Sequence, residues 1–381
     1  SRRQRQMCIR DRRENVNPRR EQDHRKNSRR YQKRAAARRR RNTIFIMEIV
    51  LLLILAVVLF FVSKLSKIEK TKLDMDKIEV NEDISQESQK IMKGYQTIAM
   101  FGLDNRSNGN LSQGRSDVIM LANINNDTKE VKLVSVYRDT YLDTGDGIFQ
   151  KCNAAYAKGG PEQAISMLNV NLDLNITDYV TVDFNSIIEC VDLLGGVDME
   201  ITDDEASLMT GYIRELNELT GNKAENLTQG GTYTLNGVQA CAYARIRYGG
   251  GDDYRRTERQ RTVLTAMVKK AQQSDLTTVN KLINEVCGDI QTSFSNAELL
   301  ALASQVFQYS IGDTTGFPFT KTTKVLSKKT GDVVIPCDLS DNVKELHIFL
   351  YEDSAYTVSD TVKQNSEKIV SDTGFKSGDG H

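Results

Sequence analysis

The segment Arg245–Gln260 reads RIRYGGGDDYRRTERQ and holds five arginines, two aspartates and three consecutive glycines. Arginine carries a planar, permanently charged fork that matches the oxygens of phosphate and carboxylate groups. Three uses fit such a cluster: a nucleic-acid patch, a solvated helix face of mixed charge, or a clamp for a phosphorylated ligand. Periodicity predicts a helix over Thr257–Ala271 and a shorter one over Gln239–Ile246, with Gly249–Gly251 as the break between them. Arg256 and Arg259 then lie one turn apart and share a face. Arg259 and Gln260 turn toward the side of Val263 and Leu264, the core side. A helix start offers free N–H groups and partial positive charge to an anion. Arginines disfavour the helix there, so a compensating anion is expected: a ligand, or only Asp252, Asp253 and Glu258.

Carboxylates and a further arginine extend the set. Gly102-Leu103-Asp104-Asn105-Arg106 follows one apolar run, and Arg115-Ser116-Asp117 opens the next. Two aspartates at the ends of neighbouring strands can converge on one hard cation such as Mg²⁺. Equally, Asp104 suits a turn and Asp117 the start of a strand. Ser135-Val136-Tyr137-Arg138-Asp139-Thr140 brings Arg138 out of a third strand. It points either to the same sheet end or into a surface ion pair with Asp139.

Other chemistry is poorly supplied. The histidines are His24, His347 and His381. A Ser-His-Asp or Cys-His engine would have to use His347, and no G-x-S-x-G elbow accompanies it. A His/Cys zinc site is equally hard to build. No G-x-x-x-x-G-K-[ST] loop occurs. The six cysteines (Cys8, Cys152, Cys190, Cys241, Cys287 and Cys337) contain no C-x-x-C, and no disulfide pairing follows from their spacing. Cys190 and Cys241 sit in apolar runs and read as small buried hydrophobes.

The elements that must position these residues are short and interleaved. Thr97–Leu103, Asp117–Ile124 and Val131–Val136 read as strands, with Asn125-Asn126-Asp127-Thr128 as turn chemistry. Pro161–Val170 has helical spacing after Gly159-Gly160. Tyr179–Phe184 is a strand, Asn185–Leu194 a helix stopped by Gly195-Gly196, and Val197–Ile201 a strand. Asn280–Glu285 and Asn296–Gln308 read as helices, and Val333–Pro336 and Glu345–Leu350 as short strands or loops. Strands alternating with helices predict an α/β sandwich whose mixed sheet is covered on both faces.

The 381 residues have zero formal net charge. That balance hides an asymmetry: residues 1–41 hold 18 Lys/Arg against four Asp/Glu, and residues 64–381 hold 33 against 46. Between them Ile44–Val62 is apolar except for Glu48. As a helix it reaches ~28 Å, close to the ~30 Å of a bilayer core. A cleavable signal peptide is shorter and ends in small residues, whereas here Phe60-Phe61-Val62-Ser63-Lys64 follows. An uncleaved anchor is expected, with the basic segment in the cytoplasm and the remainder outside. The basic segment lacks apolar alternation and runs straight into the span, as a topology signal that touches anionic lipid does. A nucleic-acid role for the external arginines is thereby disfavoured. The opening SRRQRQMCIRDR resembles translated adapter sequence and carries no functional weight. The expected organisation is a basic cytoplasmic segment (1–43), a transmembrane helix (44–63), a stalk (64–94), one catalytic domain (95–370) and a flexible tail (371–381).

Taken together, these motifs resemble the LytR-CpsA-Psr family of membrane-anchored enzymes. Gly102–Arg106 and Arg115-Ser116-Asp117 look like its two Asp-bearing motifs. Ser135–Thr140 is similar to its S-x-P-R-D-[ST] motif, with Tyr137 where proline is usual. Asn153-Ala154-Ala155-Tyr156, Gly159-Gly160-Pro161 and Asp192–Val197 match structural signatures. Asp253–Gln260 is similar to D-[FY]-G-R-x-x-R-Q, with Arg255 in place of glycine. The resemblance covers residues 95–275, more weakly to about 370. It implies a three-layer α-β-α sandwich with a hydrophobic lipid-binding tunnel. It further implies a phosphotransferase that moves a phosphoglycan (teichoic acid, capsule or similar) from a polyprenyl-pyrophosphate carrier to the 6-hydroxyl of N-acetylmuramic acid in peptidoglycan. Asp104 and Asp117 would hold Mg²⁺ (or Mn²⁺). Arg138, Arg245, Arg247, Arg256 and Arg259 would grip the pyrophosphate and Gln260 would assist; the general base is not assigned by the motifs, with Asp117 and Asp139 as the candidates. Two other uses remain open at this level: hydrolysis at the same site, and a non-catalytic envelope regulator or glycan-binding module.

Overall fold

The computed structural model describes residues 69–70, 73–103, 111, 114–247, 253–275, 278, 281–282 and 290–381. The basic segment, the apolar run 44–62, Asp104, Asp252, Cys287 and most of the helix expected over 280–285 lie outside the described residues. Among the described residues no helix is long and apolar enough to cross a membrane.

The central sheet contains β1 (Glu69–Lys70), β2 (Tyr95–Leu103), β3 (Ser116–Asn125), β4 (Glu130–Val136), β7 (Asp178–Asp183), β10 (Ile290–Thr292) and β11 (Ser310–Phe317). Their order across the sheet is β1-β10-β7-β2-β3-β4-β11. β2 pairs parallel with β7 and antiparallel with β3, β3 pairs antiparallel with β4, and β4 pairs parallel with β11. The expected mixed sheet is therefore present. Side chains alternate across it. Ala99, Phe101 and Leu103 of β2 enter one core with α2 (Ala154–Leu172), α8 (Leu339–Tyr351) and α9 (Asp360–Thr373). Ile98 and Met100 enter another, against α6 (Asp253–Gln273) and α7 (Asn296–Ser304), through Leu264, Leu299 and Leu302. A third core joins α6 to α3 (Phe184–Leu193), α4 (Asp203–Thr220), α5 (Gly237–Arg245) and the hairpin of β8 (Val197–Ile201) with β9 (Gly231–Leu235).

Several elements differ from their expected bounds. The helix expected from Pro161 begins at Ala154 and is broken at Gly159 and Gly160. Gly160 has φ 63° and ψ −153°, a backbone that a residue with a Cβ resists. The helix α6 begins at Asp253, four residues before the expected Thr257. Residues 253–256 are mostly charged, so an apolar period is blind to them, yet Asp253 suits the positive end of the helix. Glu345–Leu350 is not strand or loop but the middle of α8. Leu339, Val343, Leu346 and Leu350 recur at helical spacing behind an Asp338 cap. Residues 73–94, expected as a stalk, lie on the domain: Ile78 and Ile84 are buried, and the Asn81 amide donates to Asp173 (2.5 Å). The helix α1 (Gln86–Met92) is part of the same stretch. The end of the chain is held too, His381 exchanging backbone hydrogen bonds of 3.1 and 3.3 Å with Lys321.

His347 lies at 0% exposure, its ring stacked 3.6 Å from that of Tyr356 and its Nε2 3.0 Å from the Leu172 carbonyl. It is a core residue rather than a catalytic one. Burial lowers its pKa to about 4. The unfolded chain takes a proton near the ordinary value of about 6.5 and the folded chain does not. Stability is therefore full above that value and falls as pH drops toward 4, by roughly 3 kcal/mol. Urea unfolding between pH 7 and 4.5 checks this, and His347→Gln is expected to flatten that part of the profile.

Candidate active site

Arg138 lies two residues past the end of β4, and the backbone holds the turn that carries it. Tyr137 N–H donates to Phe317 O (3.0 Å), Thr140 N–H to Tyr137 O (2.9 Å) and Asn153 N–H to Arg138 O (3.1 Å). Arg138 Nη1 donates to Asp117 Oδ1 on β3 at 2.5 Å, and its Nε lies 3.6 Å from Asp139 Oδ2. Asp139 also receives Lys151 Nζ (3.0 Å), from the hairpin of β5 (Tyr141–Asp143) and β6 (Phe149–Lys151). Burial opposes the charge on Arg138, but Asp117, Asp139 and Asp253 outweigh it and raise the pKa.

The first turn of α6 faces this group. Asp253 Oδ1 lies 2.8 Å from Arg256 Nη2 and 3.7 Å from Arg247 Nη2. Burial raises the Asp253 pKa, and Arg138 and Arg247 act against that rise. Two ion-pair groups result, Arg138 with Asp117 and Asp139, and Arg247 and Arg256 with Asp253, and Arg138 acts across on the charge of Asp253. Arg245 and Arg259 instead reach α4. Arg245 pairs with Glu215 (3.2 Å) and stacks on Phe184 and Tyr212. Arg259 Nε donates to Glu205 Oε1 (3.1 Å), while the other oxygen of that carboxylate closes the capping box of α4 on Thr202. Arg255 is exposed and makes no ion pair among the described residues.

Beside the arginines lies an apolar cavity of about 130 Å³, between β2, β3 and β7 on one side and α3, α5 and α6 on the other. Met100, Val118, Phe184, Val263 and Met267 line it, and Gln260 reaches it from the arginine side. Gly102 opens the space: a Cβ there would fall 2.9 Å from the Val118 side chain.

Among the described residues, buried polar atoms without a hydrogen-bond partner gather at this sheet end. They include Ser116 Oγ, Ser135 Oγ, Arg138 Nε, Arg256 Nε, Gln260 Oε1, and Nε and Nη1 of Arg261. Folded proteins leave few such groups, so a concentration of them points to a ligand. Charged forks supply most of the donors, which suits an anion.

Sequence reasoning missed four contributors. Lys151 lies two residues before the Asn153 motif, which singles it out only in hindsight. Glu205 was legible as the last residue of a T-x-x-E capping box. Lys321 has no local signal. Arg261 continues the arginine stretch by one residue. It is 8% exposed and has no ion-pair partner among the described residues, and burial lowers its pKa. Removing a desolvated charge that Glu258 offsets only in part relieves the folded state. Arg261→Met is therefore expected to raise stability by ~1–4 kcal/mol, read by denaturant unfolding at neutral pH.

For a metal, the described residues hold no group of three His, Cys, Asp or Glu side chains placed to bind one. Asp117 already gives one oxygen to Arg138. Its expected partner Asp104 lies outside the described residues.

Comparison with known proteins bears on this geometry. The model of the LytR_cpsA_psr family matches residues 55–324. The polyisoprenyl-teichoic acid–peptidoglycan teichoic acid transferase TagU of Enterococcus faecalis is 30% identical over 210 residues, 54% of this chain and 64% of that protein. The corresponding TagV of Bacillus subtilis is 30% identical over 195 residues, 50% of this chain and 48% of its own length. The match therefore spans less than two thirds of either relative. The crystal structure of B. subtilis TagV aligns at a TM-score of 0.54 with 25% identity, over 70% of this chain and 99% of that one.

Proposed function

Because the chain belongs to the LytR_cpsA_psr family, we propose that it transfers a phosphate-linked cell-wall glycopolymer, of the teichoic acid or capsule class, from a polyprenyl-pyrophosphate carrier to peptidoglycan. The observation that carries this reading is the junction at Gln260. On one side stand buried guanidinium N–H donors without a hydrogen-bond partner among the described residues, and on the other an apolar cavity. An amphiphile with an anionic head and a hydrocarbon tail satisfies both. The curated relatives are named as teichoic acid transferases, which supports the same class.

In this reading Arg138, Arg247 and Arg256 hold the phosphoryl oxygens, with Arg245 and Arg259 at the side of α4. Attack of a sugar hydroxyl builds charge on those oxygens, and preorganised forks stabilise it without a covalent protein intermediate. The acceptor is proposed as the 6-hydroxyl of N-acetylmuramic acid, and the base as Asp117 or Asp139. Mg²⁺, or Mn²⁺, would be held by Asp104 and Asp117 and would neutralise phosphate charge. The apolar run 44–62 would anchor the domain outside the bacterial membrane, with the basic segment inside.

Mass analysis of lipid extracted from the purified full chain tests the substrate class. A polyprenyl phosphate or pyrophosphate is expected. Absence of any such lipid, together with no transfer of labelled glycopolymer to added peptidoglycan, overturns the proposal. Product analysis without acceptor separates transfer from hydrolysis. Protease added outside whole cells should digest the C-terminal domain; protection would overturn the orientation.

A further inference from the structure

Tyr137 stands between the two halves of the site. Its ring meets that of Tyr254 edge to face, with centroids 4.6 Å apart. Lys321 Nζ lies over both rings, 5.5 Å from the centre of Tyr137 and 4.7 Å from that of Tyr254, and donates to Phe319 O at 3.1 Å. Lys321 makes no ion pair among the described residues, and burial lowers its pKa. The far end of Tyr137 rests on bare backbone: a Cβ at Gly316 would lie 2.1 Å from its hydroxyl and 2.5 Å from Cζ. That close approach follows from register, since Gly316 pairs with Ser135 and Phe317 with Val136. Tyr137 is 6% exposed.

The neighbours in sequence give this packing its meaning. Tyr137 directly precedes Arg138, and Tyr254 directly follows Asp253, the carboxylate that holds Arg256. The ring contact therefore joins the turn that carries one set of phosphate donors to the helix that carries the other. Charged groups alone, separated by exchangeable ion pairs, hold such a spacing loosely; interlocked rings are stiff. We propose that Tyr137 is a positioning residue, packed by Tyr254, Lys321 and Gly316, which sets Arg138 against the start of α6. The proposal rests on the transferase reading given above, and it makes no use of a contact between Tyr137 and substrate.

The test uses the full chain in detergent, with transfer kinetics, binding of inorganic pyrophosphate and thermal unfolding measured on each variant. Tyr137→Phe keeps the ring and is expected to stay near wild-type activity. Tyr137→Ala is expected to lower kcat about 100-fold, the scale of a 1 Å misplacement, with a much smaller change in KM and a folded protein. Gly316→Ala should lower kcat in the wild-type background, and have no further effect in the Tyr137→Ala background, where the clash is gone. Near-normal kcat in folded Tyr137→Ala, or an equal effect of Gly316→Ala in both backgrounds, overturns the proposal. If Tyr137→Ala does not fold, Tyr254→Ala and Lys321→Met carry the same test: a folded variant with unchanged kcat overturns it. If the wild-type chain transfers nothing and carries no polyprenyl lipid, the transferase reading fails. Pyrophosphate affinity then decides the positioning role, which is overturned if Tyr137→Ala binds as tightly as wild type.

Discussion

Arg138→Ala is expected to lower glycopolymer transfer on the order of 10³-fold, the scale lost with a single arginine or oxyanion donor that acts on the transition state. The fold should survive, because the turn around Arg138 is held by its backbone. Asn153 N–H donates to the Arg138 carbonyl and Tyr137 N–H to the β11 strand, and neither bond involves the side chain. The loss should fall on kcat more than KM, since the remaining arginines still bind the phosphate in the ground state. Arg138→Lys keeps the charge but not the fork and is expected to recover only part of the rate. Near-normal transfer by a folded Arg138→Ala protein would remove this residue from the clamp.

Arg256→Ala should cost both activity and stability. Its side chain is 5% exposed and pairs with Asp253 at 2.8 Å. Truncation takes a donor from the ligand and the nearest partner from a carboxylate that burial already disfavours in its charged form. The pH dependence has a definite sign. Loss of the positive neighbour raises the Asp253 pKa further in the folded state. The folded state is then relieved by binding a proton, so the stability defect is smallest at acid pH and grows as pH rises through the shifted pKa. Unfolding curves for wild type and variant at pH 5 and pH 8 check this. A defect independent of pH would mean that the Arg256–Asp253 pair is not what the mutation breaks. Arg256→Ala with Asp253→Asn should recover stability but not transfer.

Much of the chemistry was legible because local sequence carries it. The scarcity of histidine, the arginine-rich stretch and the Asp and Arg residues at strand ends can be read without coordinates. So can β2, β3 and β4, which read as short apolar runs and are buried over most of their length in β3 and β4. The early start of α6 was not legible, since residues 253–256 offer charge rather than apolar period. Nor was the helix over Glu345–Leu350, where a short apolar run fits strand or helix equally. The expected set of five arginines also reads differently in space. Arg138 pairs with Asp117 and Asp139, Arg247 and Arg256 pair with Asp253, and Arg245 and Arg259 are tied to Glu215 and Glu205 of α4.

Composition and local motif by themselves determined the residue types available for chemistry and the alternation of strands with helices. Those properties depend on side-chain identity and on spacing over a few residues. Only the tertiary structure decided which charges meet. Asp253 reaches Arg247, Tyr137 reaches Tyr254 and rests on Gly316, and Arg259 finds Glu205, 54 residues away in sequence. Such pairs are set by sheet order and helix packing. The free energy that selects them comes from burying the whole core, so no short stretch of the chain contains it.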